Sequence, residues 1–134
     1  MLSAFKPDQA VFINLANNMT PVCDCFGFTG LPILPDVGIF AGDDICAVEQ
    51  VTLDEIAKHK VIEENMPLSM VPQHGEGYHP FQVVHGPYKD PYKVIEYAAG
   101  LGVGQKEYEL VDVMPLEGVK RDASGAMAIS VADM

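Results

Sequence analysis

Short apolar runs alternate with helical periodicities along the chain, and this alternation predicts a small α/β domain. Residues 10–15 are short, apolar and rich in strand formers, which is typical of a strand buried on both faces. Residues 37–41 predict a second strand, which Gly42 ends. The stretch between the two strands contains several glycines and prolines, so we expect it to be a loop.

A helical pattern follows the second strand. Apolar residues recur every three or four positions from Ile45 to about Lys60, which predicts an amphipathic helix. Asp43 and Asp44 precede it and predict its N-cap. Cys46 lies in the first turn, where we expect a core residue rather than a ligand, because an unbridged cysteine usually packs like a small hydrophobe. The strand, tight turn and helix correspond to half of a βαβ unit.

The second half of the chain predicts a long loop, a helix and a strand. Residues 63–86 contain three prolines and three glycines, so we expect a partly ordered loop there, with a short strand over residues 81–84. Asp90 followed by proline predicts a helix start, and Gly100 predicts the helix end. Residues 107–113 alternate acidic and apolar side chains, which is typical of a strand.

Together these elements predict an α/β fold in a single domain over residues 1–134, with a small mixed sheet and two main helices. We expect the core to lie within about residues 10–113. Residues 117–134 are rich in alanine, serine and glycine and predict a weakly structured tail, in which residues 127–131 form a weak edge strand.

Composition and charge narrow the classes of function. The chain has 134 residues, of which 49% are apolar and 20% charged, as in ordinary globular domains. The net charge of −11 leaves no basic surface for phosphates, so we predict no binding to nucleic acid or to anionic membranes. No apolar run approaches the ~20 residues of a membrane helix, and the first residues do not resemble a signal peptide. We therefore expect a cytoplasmic protein.

Cys23 and Cys25, called the cysteine pair below, lie one residue apart in the loop after the first strand. Strand ends of open α/β sheets often build sites. Thiolates are soft ligands for iron–sulfur clusters, zinc or Cu(I), and residues at positions i and i+2 of an extended loop can face one ion. A conventional cluster takes four cysteines, so Cys46, a carboxylate, a histidine or another chain would have to complete it. The alternatives are two small packed residues or a redox-active thiol pair.

Asp36 and the histidines are further candidates. Asp36 would be an oxygen ligand, a residue that orients the cysteine loop, or a cap of the turn before the second strand. His74, His79 and His85 are spaced more loosely than in compact zinc motifs, so we expect surface histidines on a mobile loop. A Cys2His2 zinc site that includes the cysteine pair is the alternative.

Several stretches of the chain resemble one known family. They are residues 20–25 with the Cys-Asp-Cys sequence, residues 35–41 beginning Pro-Asp-Val-Gly, residues 43–50, and residues 97–104 and 107–110, which match a closing helix and strand. The chain resembles the C-terminal part of the uncharacterised Fe–S centre proteins, the family called domain of unknown function 362. The resemblance covers about residues 10–113 and implies that the cysteine pair is an iron–sulfur or metal site.

The chain also departs from that family. Its members are usually much longer, and many carry a ferredoxin-type insert with Cys-x-x-Cys-x-x-Cys spacing, which this sequence lacks. The resemblance therefore implies a fragment, a split protein whose other half is a separate subunit, or a reduced descendant. The activity of the family is itself unsettled, so the resemblance implies no substrate.

The leading hypothesis is an iron–sulfur or metal-associated protein of redox metabolism that acts with a partner in electron transfer or cofactor handling, with zinc as the alternative metal. A second hypothesis is a non-catalytic structural or interaction subunit with vestigial cysteines. A third is a thiol-based redox enzyme. Because the chain resembles part of a larger domain, we expect an exposed apolar face that a second copy or a partner subunit covers.

Overall fold

Two antiparallel strands, one long helix and two shorter helices make up most of the fold in a computed structural model of the chain. The structure describes residues 5, 9–23, 25, 27–67, 77–113, 120–121 and 127–128. The predicted small α/β single-domain fold is confirmed. Within the described residues, no helix combines the length and the apolar character that crossing a bilayer requires.

The two main strands are β1, Phe12–Ala16, and β2, Gly38–Gly42. They pair antiparallel, so that the first residue of β1 lies opposite the last residue of β2. One face of this sheet packs on the long helix, and there the Asn14 side-chain amide donates a hydrogen bond of 3.2 Å to the Thr52 hydroxyl. Asn14 thus marks the covered face of the sheet.

The other face of the sheet is open to solvent. Ile13, Leu15 and Ile39 are 58%, 61% and 70% exposed, and the strand register places Leu15 opposite Ile39. The prediction that the first strand is buried on both faces is wrong, because a helix covers only one face. The expected exposed apolar face is therefore present.

Helix α1, Ile45–Ile56, follows β2 directly, as predicted. The Asp44 carboxylate caps it by accepting hydrogen bonds from the backbone N–H groups of Cys46 at 2.8 Å and Ala47 at 3.2 Å. The helix ends four residues before the predicted Lys60, because the N–H groups of Lys58 and His59 donate to carbonyls three residues back and form a tight turn. Cys46 is buried, as predicted.

Two shorter helices pack beside α1. Helix α2, Pro80–His85, occupies residues for which a strand was predicted, and that prediction is wrong. A proline at its first position and a cap from His79 favour the helix. Helix α3, Lys93–Gly100, starts two residues after the predicted proline, and the Asp90 carboxylate accepts from a backbone N–H in the preceding turn.

The remaining described segments are short or irregular. Glu63–Asn65 form one turn of 3-10 helix. Residues 107–113 run without strand pairing, so the strand predicted there is wrong. Lys120–Arg121 (β3) and Met127–Ala128 (β4) pair antiparallel, which places a short strand at the start of the predicted 127–131, and residues 129–131 lie outside the described part.

Within the described residues the core consists of three small apolar clusters, two of which contain residues of α1. The first includes Ala16, Leu34 and Ile56, and the second centres on Ile33 under the 3-10 turn and α2. The third joins α1 to α3 and contains Cys46, Leu53 and Ile95. Phe81 packs against both the first and the third cluster, which links α2 to both. The first cluster includes Ala16 of β1 and Phe40 of β2, so it lies on the covered face of the β1–β2 sheet.

Candidate functional site

The loop that carries the cysteine pair is closed at its base. The Ile33 backbone N–H donates to the Met19 carbonyl at 2.8 Å, so the loop leaves and rejoins the core at one point. Ile33 and Leu34, directly after the loop, are almost completely buried and anchor this point in two of the apolar clusters. A compact loop with closed ends on a packed core is a common place for a functional site.

Within the loop, the chain just before the first cysteine is held from two sides. The hydroxyls of Thr20 and Thr29 both donate to the Val22 carbonyl, at 2.9 Å and 3.4 Å. Pro21 lies across from Gly30, where an added Cβ would come within 3.3 Å of the proline ring. These contacts fix the approach to Cys23 while leaving its side chain at the surface.

The two thiols of the cysteine pair are adjacent and exposed. Neither is in a disulfide, and they share a side-chain hydrogen bond. That hydrogen bond is the main cause of a raised pKa for Cys25, and slight desolvation and the negative charge of an ionised Cys23 raise it further. Two neighbouring thiolates repel each other, whereas a soft cation between them would neutralise both charges. The pair is therefore suited to ligation and poorly suited to staying ionised without a cation.

Asp36 lies in the fold as a turn cap. Its carboxylate accepts a hydrogen bond of 2.8 Å from the backbone N–H of Asn18, which adopts the left-handed conformation with φ of 48°. The carboxylate thus stabilises the turn by which β1 enters the cysteine loop. In the part of the chain that the structure describes, no three side chains of the metal-ligating types come together, so Asp36 does not join the cysteine pair.

Cys46 and the described histidines do not complete the site either. Cys46 is in the core, where burial is the main cause of its raised pKa. His79 is buried rather than on the surface as expected, and both of its ring nitrogens are engaged, one with the Leu53 carbonyl at 3.1 Å and one with the Phe81 N–H at 3.2 Å. His85 ends α2. His74 lies outside the described residues.

A polar cluster on the outer side of α1 was not predicted. The Asp54 carboxylate accepts hydrogen bonds from the Tyr92 hydroxyl at 2.9 Å, the Tyr108 hydroxyl at 2.8 Å and the Gln50 amide at 3.1 Å. Burial, and then the Asp54 hydrogen bond, raise the pKa of Tyr92. Both phenols therefore act as neutral donors that fasten α3 and the C-terminal segment to α1. Only the Gln50–Asp54 spacing of four residues was visible in the sequence.

Comparisons of the chain with protein-family models, with curated proteins and with solved structures found no match. The resemblance to the Fe–S centre family therefore stays a prediction, and the case for function depends on the geometry of the loop.

Proposed function

We propose that the chain is a soft-metal or iron–sulfur-associated protein of redox metabolism in which Cys23 and Cys25 are two ligands of a site that another chain completes. The observation that supports the proposal is the presence of two free, exposed cysteines on a loop whose base is closed on the core. Their mutual interaction, the main cause of the raised pKa of Cys25, agrees with it. The resemblance of the Cys-Asp-Cys sequence to the Fe–S centre family agrees with it. We place the protein in the cytoplasm, where thiols stay reduced.

The number of accessible cysteines limits which metal ions or iron–sulfur clusters this chain can bind. A [2Fe–2S] or [4Fe–4S] cluster takes four thiolates, and the third cysteine of this chain lies in the core. A complete cluster therefore does not fit this chain alone. A soft ion on two thiolates, or a cluster shared with a second chain, does fit, and zinc would need two further ligands. A bound cluster would supply one-electron chemistry, and the residues of this chain would hold it at the surface, within reach of a redox partner.

The test is the content of iron, zinc and acid-labile sulfide per chain after oxygen-free purification. We expect metal in the wild type and its loss in Cys23→Ser/Cys25→Ser. The matched control is Cys46→Ala, which removes the buried cysteine and should leave the metal content unchanged. Iron with sulfide would identify a cluster, and zinc alone a structural site. Wild-type protein without metal would contradict the proposal.

A second candidate function, a structural or interaction subunit, is favoured by the open sheet face. Ile13, Leu15 and Ile39 form an exposed apolar strip on the side of the sheet opposite α1. Apolar strips of this kind in small domains commonly mark a contact with another chain. If this is the function, Leu15→Lys should abolish assembly with little loss of stability, whereas Cys23→Ser/Cys25→Ser should change neither. Sedimentation velocity of the wild type and both variants distinguishes the two candidates.

A further inference from the structure

A cavity of about 560 Å³ lies beside β2. Side chains from both faces of the strand line it, with Ile39 from the open face and Phe40 from the face toward α1. Ala47 and Val48 of α1 line it as well. Because β1 occupies one edge of β2, a cavity that both faces of β2 reach lies along the other edge. We call this space the β2-edge cleft.

The far wall of the β2-edge cleft is residues 107–113. The chain is fixed at two points here: the Gln105 N–H, just before the segment, donates to the carboxylate of Asp44, the cap of α1, at 2.8 Å, and the Tyr108 hydroxyl donates to Asp54 of α1. Beyond them it runs along the cleft without pairing to β2. Among the residues that the structure describes, no strand lies opposite the outward N–H and C=O groups of β2. Such an edge is a template for another strand.

The lining of the cleft is apolar inside and acidic at its rim. The inner surface is built from β2 and α1, and Leu110 and Val111 add apolar side chains from the far wall. Asp43, Glu107 and Glu109 are exposed carboxylates on the rim. No lysine, arginine or histidine lines the cleft within the described residues. An occupant must therefore offer apolar side chains inward and cations outward.

We propose that the β2-edge cleft binds an extended segment of a partner protein in which apolar residues alternate with lysine or arginine, and that this segment joins the sheet as a third strand beside β2. Main-chain hydrogen bonds would supply affinity, and side chains on alternate faces would supply specificity. A second copy of this chain is a poor occupant, because its net charge of −11 and its acidic segment 107–113 would meet an acidic rim. The inference does not depend on metal at the cysteine pair.

The probe is a fluorescein-labelled nine-residue peptide that alternates valine with lysine, titrated with the protein and followed by polarisation. We expect saturable binding that weakens as salt is raised, because exposed charge pairs are screened. A valine–glutamate peptide and a serine–lysine peptide should bind far more weakly. A valine–lysine peptide N-methylated on the residues that face β2 should not bind, because it cannot form the strand ladder.

Two matched double variants locate the site. Glu107→Gln/Glu109→Gln removes two rim charges and should weaken binding roughly fivefold, as expected for two exposed ion pairs. Glu63→Gln/Glu64→Gln removes the same charge from the 3-10 turn, away from the cleft, and should leave binding unchanged. Hydrogen exchange should show that the amides of β2 gain protection when the peptide binds.

Several results would overturn the inference. They are equal binding of the serine–lysine or the N-methylated peptide, an equal loss in the two double variants, and no binding of the valine–lysine peptide at millimolar protein. Protection, in the free protein, of the β2 amides that point away from β1 would overturn it too. If that protection grows with protein concentration, a second copy occupies the edge, and if it does not, residues 107–113 already do.

Discussion

Asp44 serves two parts of the chain with one carboxylate. One oxygen caps α1 by accepting from the backbone N–H groups of Cys46 and Ala47, and the other accepts from the N–H of Gln105. A Cβ at Gly104 would overlap this carboxylate, so the close approach requires glycine there. The residue thus joins the start of α1 to the segment that forms the far wall of the β2-edge cleft.

We therefore expect Asp44→Ala to cost about 2 kcal/mol in the free energy of unfolding, of which about half is the lost cap and half the lost contact to Gln105. Urea denaturation followed by circular dichroism measures this cost. The control is Asp43→Ala, one exposed carboxylate earlier, which should change stability by less than about 0.5 kcal/mol. Equal costs for the two variants would show that Asp44 does not have this double role.

His79 is a buried cap whose function needs the neutral ring. One ring nitrogen accepts from the Phe81 N–H, so the other carries the proton and donates to the Leu53 carbonyl. Burial lowers the pKa of His79, and the Leu53 carbonyl, Asp90 and Asp54 oppose that shift only in part. Protonation would turn the accepting nitrogen into a donor and break the cap of α2.

Below the ordinary histidine pKa of about 6.5, His79 is protonated in the unfolded chain but stays neutral in the folded chain until the pH reaches its lowered pKa. The stability from neutral His79 should therefore be complete above pH 6.5 and fall as the pH drops through the lowered pKa, by at most about 1.4 kcal/mol per pH unit. Urea midpoints between pH 8 and pH 5 measure the slope. His85 is to be replaced by glutamine throughout, because burial and Lys89 lower its pKa as well. An unchanged slope in His79→Asn would contradict this account.

At the scale of elements, α1 organises the molecule. The sheet packs on one side of α1 and α3 packs on another. Residues 104–108 are joined to it by hydrogen bonds to Asp44, its cap, and Asp54. The two tyrosines that donate to Asp54 hold different parts of the chain against α1. Tyr92 is half-buried and holds the start of α3, whereas Tyr108 holds the irregular C-terminal segment. Their removal should therefore have different consequences.

We expect Tyr92→Phe to lower global stability by about 1–2 kcal/mol, since it removes a half-buried hydrogen bond to a charged group. Tyr108→Phe should cost less than about 1 kcal/mol and act locally, by raising amide hydrogen exchange in residues 105–110 and leaving α3 unchanged. Exchange measured by mass spectrometry on the two variants provides the comparison. A global loss of protection in Tyr108→Phe would mean that the segment is part of the core.

At the scale of the whole molecule, features that depend on neighbouring residues in the sequence were easier to predict than contacts between distant segments. The cap and periodicity of α1 and the burial of Cys46 were readable, because each depends on neighbouring residues. The antiparallel pairing of β1 with β2 was not, since it depends on which strands meet across a long loop. Residues 107–113 have a strand pattern but no strand beside them, and a pattern alone cannot supply the partner. The histidine that caps α2 was taken for a surface residue, although the proline after it was a helix-start signal.

The candidate site was predictable to the same extent. The closeness of two thiols at positions i and i+2 follows from the sequence, whereas their anchoring by Ile33 and Val22 and the role of Asp36 as a turn cap required the fold. No third ligand-type side chain joins the pair within the described part of the chain. The proposed site would therefore need further ligands, and the proposal takes them from another chain.

Native mass spectrometry of protein purified without oxygen tests this central claim most directly, because it weighs the assembly and its metal together. The account predicts a complex of more than one chain that carries metal, and the mass should fall to single metal-free chains in Cys23→Ser/Cys25→Ser. Cys46→Ala should retain the metal-bearing complex. A wild-type mass equal to one chain with three protonated cysteines and no metal would contradict the account.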